Sequence, residues 1–323
     1  MSVLATSWSK AMGLRVPVLN APMGGVAGGD LAAAVSAAGG LGMIGIGSAG
    51  TVSFLQHEAA RARQRGAVFG IGLVDWVVAH TPALLDVALA ATPTVLAVSF
   101  ADKWDWVPRA RAEGVVAITQ ISDVDEARHA EQAGIDVVVA RGSEGGGHGN
   151  PRVATLPLVA GVLDAVTIPV LAAGGITSPR AVAAMLAAGA SGVWLGTAFA
   201  ACTESLNPPQ SRTALLSATE TDTVITDVFD LALGYPWPAQ FKERVLRNPF
   251  WQQWAGHHPV LTRDGDAAQA LRTAFSASDG RSLPIDAGQG VGQITESRSA
   301  AEIIRWLCGG AEERLKLLAQ DQN

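Results

Sequence analysis

Residues 141–150 read RGSEGGGHGN and place a guanidinium at Arg141, a carboxylate at Glu144 and an imidazole at His148 around three consecutive glycines. A histidine of ordinary pKa, about 6.5, exchanges a proton near neutral pH. That property suits a general base, or a hydrogen-bond donor beside a redox-active ring. Glycine is entropically costly to order, so Gly145, Gly146 and Gly147 predict a loop rather than the interior of a helix or strand. Such a loop lets the backbone lie flat against a ligand and lets His148 point inward without a bulky neighbour. Arg141 is placed to pair with Glu144 or to reach a polar or phosphate group.

Other glycine-rich stretches suggest anion binding. AAGGITSPR (172–180) and LGTAF (195–199) each follow an apolar run, and Gly174, Gly175, Gly196 and Thr197 can present backbone N–H groups to a phosphate. Either turn alone reads equally as a tight connection; two in succession, after neighbouring strands, form a phosphate site. In NAPMGG (20–25), Pro22, Met23 and Gly24 either wall a narrow apolar slot for a flat ring or make an ordinary Pro-Gly turn. Gln120 ends a strand and can hydrogen-bond a ring carbonyl or nitrogen.

The remaining histidines read as surface or structural. His57 and His129 fall on helices, His80 opens a helix or loop, and His257 and His258 lie in a polar segment. Cys202 and Cys308 have no metal-ligand spacing and are too few for a disulfide framework, so both read as buried thiols.

The elements that must position these groups repeat. From Val16 to Ala200, eight short apolar runs (VPVLNAPM, LGMIGIG, VFGIGLV, TVLAVSF, VVAITQI, DVVVARG, PVLAAGG, GVWLGTAFA) alternate with alanine-rich stretches of helical period, several opening on Asp or Ser and closing on Gly. An open doubly wound sheet alternates in the same way. Eight evenly spaced strands with glycine or polar residues at their ends favour a closed (β/α)8 TIM barrel, whose functional mouth lies at the strand C-termini.

After Ala200 the rhythm is lost. Residues 1–202 and 293–323 are therefore expected to form the barrel, and 203–292 a helical and loop appendage packed after the eighth strand. In the appendage Trp237, Phe250, Trp251 and Trp254 either pack on the barrel or wall a substrate. Near the C-terminus, Ala300, Ile303, Ile304 and Leu307 share one helix face, which predicts a helix closing against the barrel.

Composition narrows the partners. With a net charge of −6 and no block of like charge, the chain lacks the electrostatic footprint of a nucleic-acid or anionic-membrane binder. No signal-like core and no long uninterrupted apolar run occurs. The expectation is a cytoplasmic monomer or homodimer acting on a small molecule.

Three stretches, NAPMGGVAGGDLAAAVSAAGGLGMIG, GSEGGGHGN and PVLAAGGITSPRAVAAMLAAGASGVWLGTAF, occur in the order and spacing of a known family. The chain resembles the nitronate monooxygenases, formerly called 2-nitropropane dioxygenases, which are FMN-dependent (β/α)8 enzymes. The likeness runs from about Val16 to Thr197 and continues from GYPWP to AGQGVG.

The resemblance implies that Pro22, Met23 and Gly24 border the flavin and that Gln120 approaches it. It further implies that Gly146, Gly147 and His148 line the reactive side, with His148 in the position of the catalytic histidine, and that Gly174, Gly175, Gly196 and Thr197 hold the phosphate. In the implied reaction, an alkyl nitronate such as propionate 3-nitronate gives one electron to FMN, dioxygen reoxidises the flavin, and the products are a carbonyl compound and nitrite. His148 would deprotonate a neutral nitroalkane or hydrogen-bond a preformed anion.

Two departures bear on the substrate. Gly72 stands at a flavin-bordering position where the family carries asparagine, and EGGGHGN replaces Glu-Ala-Gly-Gly-His-Arg-Gly. Alternatives that keep the fold are an NAD(P)H-dependent FMN reductase acting on a quinone or an enoyl thioester, and a flavin-binding protein without turnover. No Rossmann glycine turn is present, and barrel flavoenzymes do not need one.

Overall fold

In a computed structural model of the chain, residues 4–257, 261, 265–277 and 282–320 are described. Eight parallel strands form the sheet: β1 (Val18–Asn20), β2 (Gly42–Gly45), β3 (Phe69–Val74), β4 (Val95–Ser99), β5 (Val116–Ile121), β6 (Val137–Arg141), β8 (Val170–Ala173) and β9 (Gly192–Leu195). A short strand, β7 (Gly147–Gly149), lies outside this sheet.

Strand order is β1-β9-β8-β6-β5-β4-β3-β2, and a parallel bridge between Leu19 and Leu41 joins the two ends. The sheet is thus the expected TIM barrel. Its strands are buried almost throughout, which is why they read as continuous apolar runs rather than alternating ones.

Inside the barrel pack Leu19, Met43, Val95, Ile118, Val139, Leu171 and Trp194. Trp8 joins this inner cluster beside Gly192, the first residue of β9, so helix Ser7–Ala11 covers the N-terminal end. The outer helices begin where polar caps predict. Thr51 accepts from the Phe54 N–H, Asp123 from that of Glu126 and Ser178 from that of Ala181, each satisfying a first-turn donor. Helix Ala300–Gln320 buries Ala300, Ile303, Ile304 and Leu307 and packs against helices Pro179–Ala187 and Gly29–Ala37.

The structure departs from the sequence reading in three places. Residues 203–292 contain two antiparallel strands besides helices, β10 (Thr223–Thr226) and β11 (Lys242–Leu246). β11 also pairs antiparallel with β7, so the glycine run is partly strand. Gly-His-Gly has no strand propensity of its own, and β11 supplies the ladder that orders it. Lastly, His80 closes helix Asp75–His80 instead of opening one, with Nδ1 2.7 Å from the Trp76 carbonyl oxygen.

The appendage aromatics divide. Phe250 stacks on Phe229 at 5.4 Å in a separate small core that Trp251 and Trp254 flank, whereas Trp237 reaches the barrel mouth. Among the described residues no helix is long and apolar enough to cross a membrane.

Candidate active site

A cavity of about 1100 Å³, including its open mouth, lies at the C-terminal ends of the barrel strands. Pro22, Met23 and Gly24 line it after β1, Gln120 near the end of β5, and Gly146, Gly147 and His148 on the glycine run. Gly174 and Gly175 follow β8, and Gly196 and Thr197 follow β9. Of the residues expected to border the cofactor, Gly72 alone is off the wall. It sits behind Pro22, and a Cβ there would lie 2.2 Å from Pro22 Cγ. Gly72 therefore makes room for the proline ring, and an asparagine at this position would displace it.

Asn20, the last residue of β1, holds this corner. Its buried amide donates to the carbonyls of Ala21 and Met43 and accepts from the Met43 N–H at 2.8 Å. The end of β1 is thereby tied to β2, and Pro22 and Met23 follow at a defined angle.

The glycine run is braced from within. One Nη of buried Arg141 donates to the carbonyl oxygens of Gly145, Gly146 and Gly147 at 2.8, 3.0 and 2.8 Å. Glu144 instead accepts from the Thr155 N–H and hydroxyl at 2.8 and 2.7 Å, so of the two alternatives for Arg141 the pair with Glu144 is not formed among the described residues. Burial, with Arg244 nearby, pushes the Arg141 pKa down to about 10, which leaves it cationic at neutral pH. Gly147 has φ +69°, a backbone conformation that disfavours any side chain.

His148 is held on two sides. Its Nε2 lies 2.8 Å from Asp230 Oδ2, and its ring stacks on Trp237 at 3.7 Å and 7°. Trp237 is itself fixed, donating from Nε1 to Ser48 Oγ at 2.9 Å and meeting Phe100 edge-on at 4.9 Å. Opposite His148 in the β7–β11 ladder stands Glu243, fully buried, with no hydrogen-bond partner for Oε1 among the described residues. Burial first, then Asp230, Asp286 and Asp227, push the Glu243 carboxyl well above its ordinary range. Asp286, on the cavity wall, is also pushed up by burial.

Asp230, Glu243, Asp286 and Trp237 all come from residues 203–292. The three acids are not legible in the sequence, because no local pattern distinguishes them from surface carboxylates.

At the other end of the cavity, the backbone N–H groups of Gly175, Ile176 and Thr197 have no protein acceptor among the described residues. Thr197 Oγ1 accepts from the Gly288 N–H at 3.0 Å, and Thr177 Oγ1 donates to the Gly290 carbonyl at 2.6 Å. The turn at 288–290 is thus tied to both glycine turns. Such donors suit a phosphate, and the wall of Pro22, Met23 and Trp194 suits a flat ring.

Of the other histidines, His57 and His129 lie on helices remote from the wall, His257 lies just beyond helix Pro249–Trp254, and His258 is outside the described residues. No group of His, Cys, Asp or Glu among the described residues can hold a metal ion. Both cysteines are buried, and burial pushes each thiol up to about 12.

The family model for nitronate monooxygenase matches residues 75–310. A (3aS,4S,5R,7aS)-5-hydroxy-7a-methyl-1-oxo-octahydro-1H-indene-4-carboxyl-CoA dehydrogenase of Rhodococcus jostii (strain RHA1) is 35% identical over 234 residues, 71% of this chain and 65% of that protein. The match therefore spans slightly less than two thirds of that relative. A probable nitronate monooxygenase of Staphylococcus aureus (strain Newman) is 32% identical over 314 residues, covering 82% of this chain and 86% of its own. FabK from Thermotoga maritima superposes with a TM-score of 0.85 at 30% identity over 98% of both chains.

Proposed function

Because the chain belongs to the nitronate monooxygenase family of flavin-dependent oxidoreductases, we propose that it binds FMN in the barrel-mouth cavity and oxidises small alkyl nitronates such as propionate 3-nitronate with dioxygen. The products would be a carbonyl compound and nitrite. The observation that carries this reading is the coincidence, in one cavity, of N–H groups at Gly175, Ile176 and Thr197 that have no acceptor among the described residues with an imidazole held on one nitrogen by Asp230.

The N–H groups at Gly175, Ile176 and Thr197 would hold the phosphate, Pro22 and Met23 would border the ring, and Gln120 would hydrogen-bond its polar edge. Bound FMN supplies the one-electron redox chemistry with the nitronate and dioxygen. The protein supplies orientation and proton handling. Asp230 on Nε2 fixes the ring of His148 and leaves Nδ1 as its remaining polar atom. Through that atom His148 takes a proton from a neutral nitroalkane or hydrogen-bonds a preformed anion. Trp237, met edge-on by Phe100, covers one face of the imidazole, and Arg141 satisfies the carbonyls of the glycine run and so holds its shape. In this reading residues 1–202 and 293–323 form the cofactor barrel, and 203–292 furnish the substrate side.

A second reading takes only the substrate class, a CoA thioester, from the name of the Rhodococcus jostii dehydrogenase and runs the redox opposite to that name: NAD(P)H would be the reductant and the double bond of an enoyl thioester the group reduced. One experiment separates the two. FMN-loaded protein is mixed anaerobically with propionate 3-nitronate or with NADH or NADPH, and the visible flavin spectrum is followed. Bleaching by the nitronate without nicotinamide supports the monooxygenase reading; bleaching by nicotinamide alone overturns it.

A further inference from the structure

Three carboxyl groups surround His148: Asp230 on helix Val228–Leu233 at 2.8 Å from Nε2, Glu243 opposite it on β11, and Asp286 on the segment that bridges Val245, with Asp227 close to Glu243. Among the described residues only one of these, Asp286, also lines the cavity. Its backbone is fixed on both sides, by the Leu246 N–H donating to the Ile285 carbonyl at 2.9 Å and the Ala287 N–H donating to the Arg244 carbonyl at 3.3 Å. Its carboxyl lies against the glycine run, where a Cβ at Gly147 would be 3.2 Å from Oδ2. Arg141 also lines the cavity, and Arg244 lies near it, donating to the Ser143 carbonyl.

This carboxyl has two opposite consequences for an anion. Ionised, it repels an anionic substrate at a distance where a low dielectric makes charges strong. Protonated, it offers an O–H donor to a substrate oxygen. Burial, with Asp230 adding, favours the acid form, while His148 and Arg141 oppose it.

We propose that Asp286 is a second substrate-facing residue of this site, whose carboxylic O–H donates a hydrogen bond to an oxygen of a planar O–N–O group placed next to His148. The substrate class rests on the nitronate reading, but the placement of the donor does not. No bond is made or broken in this step; the proton stays on Asp286, and its loss turns attraction into repulsion.

The test uses the FMN-loaded enzyme and nitrate, a planar anion with the oxygen arrangement of a nitronate that the flavin does not oxidise. Nitrate binding is read from the flavin absorbance between about pH 6 and pH 9, and the protonated carboxyl band is read by infrared spectroscopy with 13C-labelled aspartate. The expected result is a carboxyl band that shifts when nitrate is added and is missing in Asp286→Asn. Nitrate affinity should fall roughly tenfold or more in wild type as pH rises, and stay within about threefold over the same range in Asp286→Asn. Asp286→Ser, which keeps a donor without the charge, should bind nitrate at the higher pH better than wild type and guards against a folding failure of the first variant. No nitrate binding, no band shift, or the same pH dependence in wild type and both variants overturns the proposal. Failure of propionate 3-nitronate to reduce the flavin, with the nitrate results as expected, overturns the nitronate reading and leaves the Asp286 donor standing.

Discussion

His148 meets two demands that compete in most histidines: it faces a ligand cavity, and one nitrogen is already committed, to Asp230 at 2.8 Å. Its chemistry is therefore expected to depend on the substrate. His148→Ala should lower kcat/KM by about 10²–10⁴ toward a neutral nitroalkane, where a proton must be removed. Toward a preformed nitronate the loss should be no more than roughly tenfold, and parallel steady-state assays decide between the two. Asp230→Asn should show the same asymmetry at smaller size, since the ring loses its anionic partner but keeps a hydrogen bond. The thiols make the opposite case. Burial pushes Cys202 and Cys308 up to about 12, so neither should react with Ellman's reagent at about pH 8 until denaturant is added. A titratable thiol in the native protein would contradict their placement.

The short strand β7 joins the barrel to residues 203–292, because its ladder with β11 sets His148 opposite Glu243. That pairing needs Gly147 at φ +69°. Gly147→Ala should cost about 1–2 kcal/mol in denaturant unfolding and weaken FMN binding together with activity. Gly72→Asn, which restores the amide of the family, should also weaken FMN binding, because the side chain meets Pro22, whose Cγ already lies 2.2 Å from where a Cβ would stand. Equilibrium dialysis against FMN checks both; unchanged affinity in Gly72→Asn would mean that Pro22 yields without consequence.

Across the molecule, the buried acids make stability depend on pH in an unusual direction. Glu243 and Asp286 are pushed above their ordinary values in the fold, so the native state holds protons that the unfolded chain releases. Their contribution is fully present below the ordinary carboxyl range, about pH 4, and is lost as pH rises through the elevated native values. Stability should therefore fall from mildly acid to alkaline pH. Glu243→Gln should flatten that fall, gaining about 1–3 kcal/mol on wild type at alkaline pH, because the amide has no negative charge to bury beside Asp230 and Asp286. Urea unfolding at about pH 5 and pH 8 measures it, and an equal change at both pH values would exclude the linkage.

What the sequence alone determined was whatever neighbours along the chain can encode. Eight apolar runs of strand length, capped helices between them and glycine or polar residues at the strand ends point to a barrel and to its mouth. The wall at Pro22, Met23, Gln120, His148, Gly174 and Thr197 follows, since each ends or follows a recognisable strand. Tertiary structure alone decided the surroundings of His148. Asp230 is 82 residues away in sequence, and Glu243 and Asp286 lie farther still; they arrive because β11 pairs with a Gly-His-Gly stretch that has no strand signature of its own. A backbone ladder leaves little trace in side-chain pattern, and a carboxylate reveals its burial only when the elements around it have closed.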